Sequence, residues 1–215
     1  MVCVVAVLVV LAGCGGGGTG FQTSFEGGQG VVAEDVVVEQ GFVLESQEQF
    51  VVNDSVRVDR NNENVSVSVS NWVSTYRKNG SVSSSNGSEV SVASRVGVVS
   101  TSSMEILGGE VNPVLKESTE QRTNRVMGGD ASVTVGSSIG EPSVTHVTGE
   151  TVFLQKFDAT ILVDGKEVDA YVLTGVFKHD GSVLLPVGVY PKESNHEAAV
   201  MELIKNMDVR TDSDE

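Results

Sequence analysis

Valine-rich runs broken by Gly, Asn and Asp set the rhythm of the first half of the chain, over residues 31–58. Val36-Val37-Val38 and Phe42-Val43-Leu44 are short apolar runs, and Gly41 divides a short helix or strand from the next. Val51-Val52 and Val56-Arg57-Val58 supply further strand candidates. From Val65 to Val69, valine and serine alternate strictly, which predicts a half-buried strand continuing to about Tyr76. Asn79-Gly80 and the serine-rich stretch 81–88 read as a long polar hairpin loop. Residues 90–99 and 101–107 then give one or two strands. At Asn112-Pro113 the pattern changes. Asn favours the N-cap and Pro the first helical position, so 114–127 is expected as one helix, stopped at Gly128-Gly129.

The last third alternates most plainly. Residues 153–163, 168–178 and 182–190 read as three strands, joined at Asp164-Gly165 and Asp180-Gly181. Asp-Gly pairs favour two-residue hairpin turns, so a three-strand meander follows. After Pro191, Ser194 to Glu197 spells a capping box, and a helix over 195–207 would bury Ala198, Met201, Leu203, Ile204 and Met207. The fold class expected is α+β: an antiparallel sheet with this C-terminal three-strand meander and at least two helices packed on it.

The N-terminal pattern differs in kind. Met1 to Ala12 is uncharged and apolar, too short to span about 30 Å of hydrocarbon as a helix. It fits an export signal over 1–13, the alternative being a buried N-terminal strand. No Lys or Arg precedes the run, where export signals normally carry positive charge, which places the true start upstream. Leu11-Ala12-Gly13-Cys14 resembles the lipobox of bacterial and archaeal lipoproteins. That resemblance implies cleavage before Cys14 and attachment of lipid to its thiol. Residues 14–30 then form a glycine-rich tether, 31–208 a single domain and 209–215 an acidic tail. Cys3 lies inside the leader, so a lipidated Cys14 leaves the mature domain with no disulfide, redox pair or cysteine nucleophile.

Charge sharpens this picture. Fourteen Lys and Arg against 29 Asp and Glu give −15, all of it beyond residue 25. Nucleic acid is excluded as a partner, because binding phosphate requires a cationic surface. A dispersed acidic excess keeps a protein soluble where salt screens its self-repulsion, which fits a halophilic archaeon; an acidic bacterial lipoprotein is the alternative. Asn53, Asn64, Asn79 and Asn86 each open an Asn-x-Ser sequon, a glycosylation acceptor in an exported chain.

Several short marks recur together: Cys14 in the lipobox, Asn71-Trp72 ahead of Tyr76, Asn112-Pro113, Val135-Gly136-Ser137 and Val189-Tyr190-Pro191. With them the chain resembles a haloarchaeal lipoprotein family of unknown function, most closely beyond residue 110. The order of elements also looks like that of the PsbP and Mog1-like proteins, an architectural likeness that confers no function. Neither resemblance brings catalytic residues.

A search for chemistry returns no catalytic residue, metal site or cofactor. His146, His179 and His196 share no zinc-type spacing. No Ser-x-x-Lys occurs. Asp158, Asp164 and Asp169 do not match a calcium loop and read as solvated carboxylates, as do Glu193 and Glu197. Trp72 and Tyr76 share one face of a strand, as core or as a ligand platform. The expected function is a lipid-anchored, acidic cell-surface protein on the outer face of the membrane, non-enzymatic, binding an envelope protein or small solute. The alternatives are an extracellular hydrolase with a site assembled from distant residues and the solute-binding component of an importer.

Overall fold

The computed structural model describes residues 22–58, 63–83, 87–106, 109–110, 112–129 and 131–210. The described residues open with β1 (Gln22–Glu26), β2 (Gln29–Val32) and helix α1 (Glu34–Glu39). Two long strands follow, β3 (Val43–Val58) and β4 (Glu63–Lys78), then a small hairpin of β5 (Ser81–Ser83) and β6 (Glu89–Ser91). Next come β7 (Ser94–Ser102) and the short β8 (Glu105–Ile106) and β9 (Gly109–Glu110). A 3-10 turn (Pro113–Lys116) leads into α2 (Thr119–Met127). The C-terminal part holds β10 (Ser132–Val147), β11 (Glu150–Val163), β12 (Lys166–Thr174), β13 (Phe177–His179), β14 (Ser182–Pro191), α3 (Glu197–Lys205) and β15 (Met207–Arg210).

These elements correct the expected α+β fold. The molecule is mostly β, built on one nine-stranded sheet in the order β1-β4-β7-β14-β12-β11-β10, with β3 on β4 and β13 on β14. The sheet is mixed, because β1 runs parallel to β4. Nor do three strands make a separate C-terminal meander. β10 precedes them, pairing with β11, and the expected strand 168–178 divides into β12 and β13. Pro186 is the reason. The β12–β14 ladder stops at Thr174↔Val187, where the next residue of β14 has no N–H to donate. Its carbonyl instead accepts from Thr174 Oγ1 at 2.8 Å and from Gly175 N–H at 3.4 Å.

Alternation along the strands fills both faces of the sheet. One face buries Val96, Val98, Leu184 and Tyr190 under α1, α3 and the β2–β15 ribbon. The other buries Val99, Leu185, Val187 and Val189 under α2 and the 3-10 turn. Each larger helix docks on a glycine of a central strand. A Cβ on Gly97 would collide with Val126 of α2, and one on Gly188 with Val200 of α3. Such close approach needs a residue without a side chain.

Three further expectations shift. The helix expected over 114–127 is two pieces, because Glu117 and Ser118 are extended and Ser118 starts a new helix. No capping box forms at Ser194: its hydroxyl donates to the Pro191 carbonyl at 2.7 Å, and α3 begins at Glu197 with Ala198 exposed. Strands β1 and β2 occupy part of the stretch expected as tether, and β15 pairs with β2 through Val209 and Arg210, the first residues of the expected acidic tail.

Candidate binding cleft

A cleft of about 200 Å³ opens on the α2 face, between β3, β4, β7 and the end of α2. Register and a bulge create it. The β3–β4 ladder shifts between Leu44 and Ser46, and the extra residue there is Glu45. Its carboxylate accepts from Arg95 twice, from Nε at 2.7 Å and from Nη2 at 3.1 Å, and from Arg77 Nη1 at 3.3 Å. Arg95 is buried, and its bidentate fork on Glu45 compensates the loss of water. Hydrogen bonding from Arg95 holds the Glu45 carboxyl below its ordinary range, against the opposing effect of burial.

The far wall is Arg125 of α2. Its guanidinium carbon lies 3.9 Å from the centroid of Phe50, and Nη2 contacts Glu117. Glu117 Oε2 and the Nε atoms of Arg122 and Arg125 are buried without a hydrogen-bond partner among the described residues. Burial lowers the pKa of Arg122. Held ionised by Arg95 and Arg77, the Glu45 carboxylate makes a poor proton donor near neutral pH. The arrangement is suited to recognising a polar group rather than to moving protons.

The sequence-selected residues are spread over the molecule. Cys14 and Asn86 lie outside the described residues, Asn64 falls in β4, and Asn53 and Asn79 are exposed. Trp72 and Tyr76 do share a face. Tyr76 is core, its hydroxyl accepting from Val32 N–H at 2.8 Å. His146 is exposed on β10. His196 precedes α3 with Nδ1 2.8 Å from Ser94 Oγ. His179 sits beside Asp180 and Asp208.

Most of the selected carboxylates have partners. Asp158 pairs with Lys192 at 2.7 Å and Glu197 with Lys156 at 2.8 Å, while Glu193 accepts from Ser83 N–H at 3.1 Å. Asp164 forms the hairpin turn and Asp169 is exposed. Lys156 also lies 4.0 Å from the Tyr171 centroid, and Tyr171 is tilted against the buried Tyr190. Burial, with Glu197 nearby, pushes the Tyr190 hydroxyl up.

Residues 29–208 match a domain of unknown function, DUF6517. The chain belongs to this family. The DUF6517 match begins at the first residue of β2 and ends inside β15, so it takes in the whole cleft. No curated protein matches the sequence. Among solved structures, the chain is similar to the solution structure of cyanobacterial PsbP (CyanoP) from Synechocystis sp. PCC 6803. That likeness covers 93% of this chain and 99% of the other at 10% identity, with a TM-score of 0.30.

Proposed function

We propose that this DUF6517 protein is a lipid-anchored cell-surface protein of a salt-adapted archaeon, whose domain is a non-enzymatic binding module for an envelope protein or small solute. The observation that carries the reading is the order of segments. The lipobox-like Leu11-Ala12-Gly13-Cys14 is followed by Gly15 to Gly20 and then by β1 at Gln22. From Cys14 to Gln22 is eight residues, which extend to at most roughly 29 Å. A lipid on Cys14 would therefore hold the sheet close above the membrane. The acidic excess favours solubility in strong salt, and exposed Asn53 and Asn79 are accessible to a glycosyltransferase outside the cell. The mutually neutralised Arg and Glu side chains of the cleft suit recognition.

Mass spectrometry of the N-terminal peptide from the native membrane fraction tests the anchor. A peptide beginning at lipid-modified Cys14 is expected, and Cys14→Ser should move the protein out of the membrane fraction. An unmodified chain that retains Met1 to Gly13 overturns the reading.

A further inference from the structure

Three side chains able to bind a metal meet at the end of β13. His179 Nε2 lies 3.0 Å from Asp208 Oδ1 and 3.5 Å from Asp180 Oδ2, and one donor atom from each residue falls within 4.8 Å of the others. Adjacent residues on a strand point to opposite faces, so His179 and Asp180 would ordinarily diverge. The turn prevents this. Asp180 and Gly181 both have positive φ, which swings the Asp180 carboxylate back beside the imidazole. Asp208 arrives from β15, and Val209 N–H donates to its Oδ1 at 2.8 Å, fixing the carboxylate toward His179.

The spacing suits a small divalent ion. Nitrogen and oxygen ligands bind zinc at about 2.0–2.2 Å, and two such ligands at a tetrahedral angle stand roughly 3.3 Å apart. The two measured separations bracket that value. The imidazole supplies what a pair of surface carboxylates lacks, a nitrogen donor that selects first-row metals over calcium or magnesium. The half-buried ring fixes one ligand, while the exposed carboxylates leave a path for the ion and room for water.

We propose that His179, Asp180 and Asp208 form a binding site for a zinc-class divalent cation. The ion joins the β13–β14 hairpin to β15, and through the β2–β15 ladder to the start of the domain. Binding therefore stabilises the folded chain in proportion to free metal.

Titration of the metal-free full chain with Zn²⁺, followed by calorimetry and thermal unfolding, tests this directly. One saturable site and a Tm that rises with Zn²⁺ are expected, with no comparable rise in Mg²⁺ or Ca²⁺. His179→Ala should weaken Zn²⁺ binding at least tenfold, while His146→Ala leaves it unchanged. Asp208→Asn retains a hydrogen-bonding side chain of the same shape, and its circular dichroism separates lost ligation from lost folding. Co²⁺ should give visible absorption that disappears in both ligand variants. Absence of saturable Zn²⁺ binding, or equal binding by His179→Ala, overturns the proposal.

Discussion

His196 shows how a single side chain records its surroundings. It occupies the N-cap of α3 without capping it, and Nδ1 is 2.8 Å from Ser94 Oγ. Burial, aided by the positive charge of Lys78, lowers its pKa from the ordinary 6.5. The neutral ring is thus the form the fold favours. A base whose folded pKa is depressed gives full stability above the unfolded value, and that contribution is lost as pH falls through the folded one. Urea unfolding at a series of pH values should show stability declining below about 6.5. His196→Gln should flatten this limb while leaving the later loss below about pH 4.5, where Glu45 takes up a proton in the unfolded chain before it does in the folded one. An unchanged limb in the variant would assign the decline to other groups. The sequence placed His196 at the start of a helix, but nothing local named Ser94 or Lys78 as its neighbours. The same holds for the cleft: Glu45, Arg95 and Arg125 meet through strand register and a bulge, neither of which has a local signature.

Elements governed by short-range chemistry were the most legible. Asp164-Gly165 and Asp180-Gly181 make the expected turns with positive φ at both residues. Thr148-Gly149 makes the same turn between β10 and β11, yet a β-branched residue at φ 49° conceals it from a composition-based reading. The helix expected from Asn112-Pro113 was legible at its start, since Asn112 Oδ1 accepts from Val114 N–H at 3.0 Å. Its continuity failed because a stronger signal lies within it. Ser118 Oγ accepts from Gln121 N–H at 3.2 Å, while Gln121 Oε1 accepts from Ser118 N–H at 2.8 Å. This reciprocal pair restarts the chain as α2. Ser118→Ala should cost about 1 kcal/mol in urea unfolding, and Ser118→Asp, which retains an acceptor oxygen, should lie near the original. Equal losses in both variants would assign the effect to packing instead of the cap.

At the scale of the whole molecule the sequence was least informative, because sheet order depends on contacts between distant segments. The parallel placement of β1 beside β4 and the β2–β15 pairing join remote parts of the chain and leave no periodic signal in strands of four or five residues. The N-terminal segment is held by hydroxyls from three central positions. Ser74 Oγ donates to Gly30 O at 2.6 Å, Ser100 Oγ donates to Gly28 O at 2.5 Å, and Ser182 Oγ accepts from Gly28 N–H at 3.1 Å. Over this segment lies β15, burying Met207 and Val209 against the α3 face. Strand β15 therefore seals β2. Truncation after Asn206 removes both apolar side chains and should destabilise the protein by roughly 3 kcal/mol or more in urea unfolding. Truncation after Arg210 removes five acidic-tail residues but none of the pairing, and should cost little. Amide hydrogen exchange separates a local effect from a global one. If β15 seals the ribbon, the shorter chain loses protection in β2 before the central strands exchange. Continued protection of β2 without β15 would mean that the serine hydroxyls, with the Tyr76 hydroxyl on Val32 N–H, hold the segment in place.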